Sequence, residues 1–182
     1  MKDKTVYLIC LSVFPFMVCT GIIYSILPLY FQSLGAGKTQ IGLLYTCGAS
    51  AGAIMAPFLG QLSDKIGRKR VLLLSMALFA LVFLGYALST KTHHLFPVQV
   101  GEGMAWAALG ASAVALIADF VPEERRGKAM GIYNSTWNFG WIIGPSLGGF
   151  LSDQIGFRLT FMISVLIIAT GLAISAFLLP KR

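Results

Sequence analysis

Charge is scarce in this chain. Asp, Glu, Lys and Arg make up 12% of its 182 residues, about half the roughly 25% of an ordinary soluble domain. So few charges cannot cover a globular surface, which excludes a soluble fold for most of the chain and leaves no room for a separate catalytic domain. Cysteine is also sparse. Cys10, Cys19 and Cys47 each lie inside an apolar run, with neither a disulfide framework nor the spacing of a metal site, and they read as small buried hydrophobes. The only two histidines, His93 and His94, sit side by side near Lys91 without further metal ligands, so a solvated loop explains them. The sequence shows no nucleophile–base pair, metal cluster or phosphate-binding glycine loop. Enzyme chemistry, a metal and a cofactor are therefore not expected.

What is abundant is apolar surface, at 57% of residues. It falls into six runs, at about residues 6–31, 40–62, 71–89, 95–120, 129–151 and 159–179. Crossing a hydrocarbon core of about 30 Å takes roughly 20 helical residues, and backbone groups in lipid must bond within their own segment. Each run is therefore expected to be a transmembrane helix. The alternation of a barrel strand is absent. Lys2 and Lys4 precede the first run as they would a signal peptide, but the run is longer than an h-region of about 7–15 residues and no small-residue cleavage site ends it. It reads as a retained first helix.

The net charge of +7 would suggest nucleic acid in a soluble protein. Here the basic residues cluster at the ends of apolar runs, which fits a membrane surface and no nucleic acid. If the N-terminus is cytoplasmic, eleven basic residues lie inside: Lys2, Lys4, Lys65, Arg68, Lys69, Arg70, Arg125, Arg126, Lys128, Lys181 and Arg182. Three lie outside, Lys38, Lys91 and Arg158. The positive-inside rule then predicts both termini in the cytoplasm of a multi-pass cell-membrane protein.

An internal repeat is visible. Leu62-Ser63-Asp64-Lys65-Ile66-Gly67 returns 89 positions later as Leu151-Ser152-Asp153-Gln154-Ile155-Gly156. Gly52, Ala56, Pro57 and Gly60 match Gly140, Gly144, Pro145 and Gly148 at an offset of 88. Three spans separate the copies, so they face opposite sides of the bilayer. That is an inverted-topology repeat, a signature of secondary transporters.

The stretch Gly60-Gln61-Leu62-Ser63-Asp64-Lys65-Ile66-Gly67-Arg68-Lys69-Arg70 resembles the signature loop between helices two and three of the major facilitator superfamily. An ordinary basic loop would explain its cations but not its Gly–Asp–Gly spacing. Gly60 and Gly67 suit a tight turn and close backbone approach. The resemblance implies a conformational latch of Gly60, Asp64, Gly67 and Arg68 with Asp119 at the foot of helix four. Gly140-Trp141-Ile142-Ile143-Gly144-Pro145-Ser146-Leu147-Gly148-Gly149 resembles the family's helix-five motif, associated with exporters though not exclusive to them. Gly140, Gly144 and Gly148 share one helical stripe that permits close packing, Pro145 favours a kink, and Gly149 completes the motif. Plain helix packing is the alternative reading. The run from Pro122 to Ala129 is similar to that of drug-exporter members.

The resemblance covers residues 1–182 as a single lobe, the N-terminal half of a usual twelve-helix member. It implies an all-α membrane protein of six transmembrane helices, built from two inverted three-helix repeats at about residues 6–89 and 95–179. One departure stands out. Where many proton-coupled members carry an arginine and a glutamine on helix four, this chain has Gln99 and Glu102.

Glu102 is the only carboxylate well inside a span. A mid-membrane charge costs roughly 2.5–3.5 kcal/mol on the insertion scale, so Glu102 is the candidate proton-coupling residue. A neutral acid bonded to Gln99 or to backbone is the alternative. Trp106 lies one turn on, and Asn134, Trp137, Asn138 and Trp141 recur at spacings of three and four. With Gln99, and with Tyr24 and Tyr45 as secondary candidates, they are candidate walls of a substrate cavity, since aromatic faces hold cations. Interhelical hydrogen bonds and interfacial anchoring are the alternatives. The function implied is a secondary transporter working by alternating access, exporting drug-like or amphipathic solutes against protons. A sugar or metabolite carrier, and a truncated fragment or assembly partner that transports nothing, remain as other readings. The partners expected are a small-molecule substrate, the lipid bilayer, protons, and a second six-helix half supplied by another chain, by a second copy or by sequence lost through truncation.

Overall fold

The structure, a computed structural model, describes residues 2–179, with side chains from Val6 onward. Lys181, Arg182 and the side chains of Lys2 and Lys4, four of the residues used for orientation, lie outside the described residues. Helices form wherever the apolar runs predict them: α1 (Lys2–Ser33), α2 (Lys38–Ile66), α3 (Arg68–Leu88) and α4 (Leu95–Phe120). The next helical stretch, Arg126–Leu178, is divided at Gly156, whose φ of 77° and ψ of 164° are not helical. We name its two parts α5 (residues 126–155) and α6 (residues 157–178). Single turns of 3-10 helix, Thr92–His94 and Glu123–Arg125, lead into α4 and α5.

Gly67 and Gly156 are the same residue of the two repeat copies, and both adopt this geometry. Gly67 ends α2 with φ 97° and ψ 143°. This region of backbone space is essentially reserved for glycine, so one residue suffices to end a helix and start its return. Gly60 plays no such part. It lies within α2, and a Cβ built on it meets nothing within 4 Å. The turn expected of the Gly60–Gly67 pair therefore belongs to Gly67 alone.

Contacts between helices fix their directions. Met17, Gly21 and Ile22 of α1 meet Gly140, Gly144 and Gly148 of α5 in ascending order, so α1 and α5 run parallel. Gly48 and Gly52 of α2 meet Gln99 and Gly103 of α4 in the same sense. On α6 the order reverses. The Cys19 thiol lies 3.5 Å from Ser164 O, and Ser175 Oγ donates to Ser12 O at 3.2 Å, so α1 and α6 are antiparallel. Gly85 packs on Val98, and Ser75 Oγ donates to Ala105 O at 2.9 Å, making α3 and α4 antiparallel too. Exchanging α1 with α4, α2 with α5 and α3 with α6 maps these pairings onto each other. The packing thus carries the inverted symmetry that the sequence repeat predicts.

The buried core is aromatic and aliphatic, drawn chiefly from α1, α3, α4 and α6, with Phe16, Phe31, Phe79, Phe83, Tyr86 and Phe161 fully enclosed. The outward faces of α2 and α5 stay bare: Leu43, Ile54, Phe58, Ile142 and Phe150 are exposed.

The parallel pairs touch backbone to backbone. A Cβ added at Gly103 would sit 1.9 Å from Gly48 O, one at Gly144 2.6 Å from Gly21 Cα, and one at Gly148 2.4 Å from Ile22 O. Overpacking of this kind costs typically about 1–3 kcal/mol. Gly103→Ala and Gly144→Ala are therefore expected to lower the thermal unfolding midpoint in detergent. Gly131→Ala, where a Cβ meets nothing within 4 Å, is expected to hold or raise it, because alanine is the better helix former.

Candidate functional site

Two polar regions stand out from the apolar lobe. The first is a hollow of about 250 Å³ beside the upper half of α4, walled by Tyr24 of α1, by Tyr45 and Gly48 of α2, and by Gln99, Glu102 and Trp106 of α4. It exists because Gly48 and Gly103 let α2 and α4 approach until backbone touches backbone. Residues 99, 102 and 106 then share the α4 face that flanks this contact.

Gln99 and Glu102 are 2% and 3% exposed. Glu102 Oε2 accepts a hydrogen bond from the Tyr86 hydroxyl of α3. Its partner is therefore neither Gln99 nor backbone, the two partners proposed from sequence. Glu102 Oε1 and Gln99 Nε2 are both buried without a hydrogen-bond partner. A buried polar atom left unpaired costs about 1–3 kcal/mol, which sets these two atoms apart from the rest of the hollow's lining. The Trp106 indole N–H donates to the Tyr24 hydroxyl. The Trp106 ring packs edge-on against Phe79 at 5.1 Å and against Trp137 at 5.7 Å. Trp141 lies 6.3 Å from Tyr24.

A second hollow of about 270 Å³ opens below Trp106, between α4 and α5, with Gly110, Tyr133, Asn134 and Trp137 on its walls. The structure thus brings together Tyr24, Gln99, Glu102 and Trp106, with Asn134 and Trp137 one turn away. Asn138 is exposed on α5 and lines neither hollow. Tyr86 went unnoticed in the sequence. The available signal was its phenol, the kind of group that seeks a partner when buried in an apolar span.

The other polar region lies where α2 turns into α3. Arg68 Nη2 bonds Asp64 Oδ1 at 2.6 Å, and its Nε approaches Asp119 Oδ2 at 3.8 Å. Arg68 Nη1 donates to Ser63 Oγ at 3.4 Å, and Ser63 reaches Ala111 O on α4 at 3.4 Å. The three charges of the expected latch are therefore together, while Gly60 stands apart. Gly140, Gly144 and Gly148 are buried against α1, with the Pro145 ring against Gly21, whereas Gly149 faces open space. The helix runs on through Pro145.

Lys69, next to Arg68, is the surprise. It is buried, and its ammonium donates to Ala176 O at 2.7 Å and Leu179 O at 2.5 Å. These are last-turn carbonyls of α6, which lack intrahelical partners and carry the negative end of the helix dipole. Arg158, 89 positions later, does the same for the other repeat. Its Nη2 donates to Ser89 O, just past the end of α3, at 3.2 Å. Tyr30 supports that end, with its hydroxyl 2.5 Å from Tyr86 O and 3.0 Å from Ser89 O.

The chain is similar to known transporters over its whole length. The sequence model of the Major Facilitator Superfamily matches residues 9–182. The Staphylococcus aureus protein named quinolone resistance protein NorA is 28% identical over 151 residues, 83% of this chain and 39% of the relative. Multidrug resistance protein 2 of Bacillus subtilis is 28% identical over 181 residues, 99% of this chain and 45% of the relative. The crystal structure of the human organic anion transporter MFSD10 superposes with a TM-score of 0.81 at 18% identity, covering 98% of this chain and 48% of that one. The chain spans about half the length of the relatives it matches.

Burial decides which of the neighbouring cations matters for stability. The Arg68 pairs are partly exposed, with side-chain exposures of 28% for Arg68, 63% for Asp64 and 39% for Asp119, and such pairs contribute about 0.2–1 kcal/mol. The bonds of buried Lys69 to carbonyls fall in the range of about 1.5–3 kcal/mol for hydrogen bonds to charged groups. Arg68→Ala is expected to leave the unfolding midpoint nearly unchanged, and Lys69→Met to lower it by several degrees in the same detergent assay.

Proposed function

This chain belongs to the Major Facilitator Superfamily, and on that premise we propose that it is the N-terminal lobe of a secondary transporter that exports amphipathic, drug-like solutes by alternating access. The observation that carries the reading is the upper hollow. An acid with an unpartnered oxygen, Glu102, sits beside an unpartnered amide nitrogen, Gln99, under the rings of Tyr24 and Trp106. Aromatic faces and a carboxylate together favour a cationic group on an apolar body. The drug-resistance names of the bacterial relatives support export.

Glu102 is the proton-coupling residue in this proposal. Its carboxyl changes charge as the hollow alternates between the two sides, so that it carries either a proton or the charge that a cationic solute answers. Tyr86 holds the carboxyl in place from α3. The latch of Asp64, Arg68 and Asp119 stabilises one of the two states at the membrane face, where the salt bridge between Arg68 and Asp64 spans the α2–α3 turn. The close contact of Gly21 on α1 with Gly140 and Gly144 on α5 holds the lobe together as it rocks.

The second lobe, in this reading, sits on the bare faces of α2 and α5, where Phe58, Ile142 and Phe150 are exposed. That second lobe supplies the opposite wall of the cavity. With Lys65, Arg68, Arg70 and Lys128 on one end of the lobe, both termini lie in the cytoplasm of a cell-membrane protein.

The test is transport by the native assembly in proteoliposomes. The wild type is expected to accumulate a fluorescent amphipathic cation when a proton gradient is imposed. Glu102→Gln is expected to abolish gradient-driven accumulation while sparing downhill exchange of the same dye. A Glu102→Gln protein with unchanged pH dependence would place the coupling elsewhere.

A further inference from the structure

A third hollow, of about 130 Å³, lies at the end of the lobe where α1 and α5 begin and α4 finishes. Val6 and Tyr7 of α1, Val121 just past α4 and Ile132 of α5 give it apolar walls, and Arg125 and Lys128 border it as two cations. Glu123 and Glu124 share the connecting turn but do not line it. The positive-inside rule explains why basic residues collect at this end. It does not explain why two of them border an apolar crevice between helices. Eighty-nine positions earlier stand Ala36 and Thr39, so the two cations are no property of the repeated fold. Lys128 and Trp137 are nine residues apart, which is two and a half turns at about 3.6 residues per turn, so they lie on opposite sides of α5. Trp137 lines the lower hollow, and the crevice opens away from it. Further along the parallel α1 and α5, Leu11 stands one turn beyond Tyr7 and Phe139 two turns beyond Ile132. Tyr7, Leu11 and Phe139 are all exposed, at 56%, 62% and 57%, and they edge an apolar furrow that continues the crevice into the span.

We propose that this crevice binds one anionic phospholipid of the cytoplasmic leaflet, with its phosphate between Arg125 and Lys128 and its acyl chains along the furrow between α1 and α5. The site is independent of what the protein transports, and needs only Lys128 at the cytoplasmic face. Charge complementarity selects the head. Basic pockets between transmembrane helices on the cytoplasmic side suit anionic headgroups, and an arginine fork makes charge-assisted hydrogen bonds to phosphate oxygens. A zwitterionic lipid carries its own cation and answers these two residues less well. Size and polarity select a lipid over a free anion. The crevice admits a phosphate with its glycerol end, and the walls that lead out of it are hydrocarbon and ring, which gain from acyl chains and not from water. The bound lipid joins the first turns of α1 and α5, the pair that meets through Gly140 and Gly144 further along.

Native mass spectrometry of the purified native assembly, titrated in detergent with dioleoyl phosphatidylglycerol or dioleoyl phosphatidylcholine, counts the bound lipids and ranks their affinities. The wild type is expected to hold one phosphatidylglycerol per chain, roughly thirtyfold more tightly than phosphatidylcholine, the effect of two basic residues facing one anionic lipid. Arg125→Gln combined with Lys128→Gln is expected to bring phosphatidylglycerol down to the phosphatidylcholine level. Arg125→Lys combined with Lys128→Arg keeps both charges and is expected to keep the tight lipid. Arg70→Gln combined with Arg126→Gln removes two exposed cations from the same end of the lobe but outside the crevice, and is expected to leave the selectivity unchanged. Excess inorganic phosphate is expected not to displace the lipid. Equal affinity of the wild type for the two lipids overturns the site. Equal loss in both glutamine pairs reduces it to diffuse surface charge, and displacement by inorganic phosphate makes it an anion site without a lipid. Absence of any tight lipid, with a cysteine at position 128 shielded from maleimide in the assembly, gives the crevice to the second lobe instead. Tight, selective lipid in a protein that moves no solute leaves this site standing and sinks the transport reading alone.

Discussion

The lobe depends on two places where glycines bring the main chains of neighbouring helices into contact. Along α1–α5 and α2–α4, main-chain atoms of one helix touch main-chain atoms of the next, and a single added methyl at Gly103 would fall inside the carbonyl of Gly48. In lipid there is no hydrophobic gain from bringing two apolar helices together, so association comes from contact itself: dispersion, Cα–H···O contacts and interhelical hydrogen bonds. Glycine at the contact is therefore the requirement from which the rest follows. Each close pair joins the first helix of one repeat to the second helix of the other, which interlocks two oppositely directed units. It also sets the α4 face bearing Gln99, Glu102 and Trp106 against α1 and α2, where the hollow forms.

Around this frame nearly every buried polar side chain among the described residues has a hydrogen-bond partner. Ser12, Thr20, Ser112 and Ser164 donate back to carbonyls on their own helices, while Ser75 and Ser175 reach across to neighbours. Lys69 and Arg158 finish the ends of α6 and α3, one for each repeat. Against that background the unpartnered atoms of Gln99 and Glu102 are conspicuous. Those two residues, on the upper half of α4, are the ones on which the proposed function is built.

Much of the fold was legible in the sequence because its signals are local. Six apolar runs gave the helices, and the repeated Gly67 and Gly156 marked the turns that only glycine makes. The stripe of Gly140, Gly144 and Gly148 announced a close contact. What stayed hidden depends on residues far apart in the chain. Lys69 looked like one more cytoplasmic cation, yet its partners lie 107 and 110 positions away. Tyr86 meets Glu102 only because α3 and α4 run antiparallel. Gly60 misled for the same reason: motif spacing suggested a turn, but the helix runs straight through it and the open face it leaves is visible only once the neighbours are placed. Asn138 shares the helical spacing of Asn134 and Trp137, but periodicity gives the face of α5 and not what stands opposite it.

The central claim is that two copies of one three-helix unit cross the membrane in opposite senses and lock through glycine. Lys65 and Gln154 are equivalent positions in the two copies, 89 residues apart, and both are exposed. Single cysteines at these positions, in a background lacking Cys10, Cys19 and Cys47, can be labelled in intact cells with a membrane-impermeant maleimide. The expected result is labelling at position 154 from outside and at position 65 only after the cells are opened. Labelling of both from the same side would contradict the inverted architecture on which the site rests.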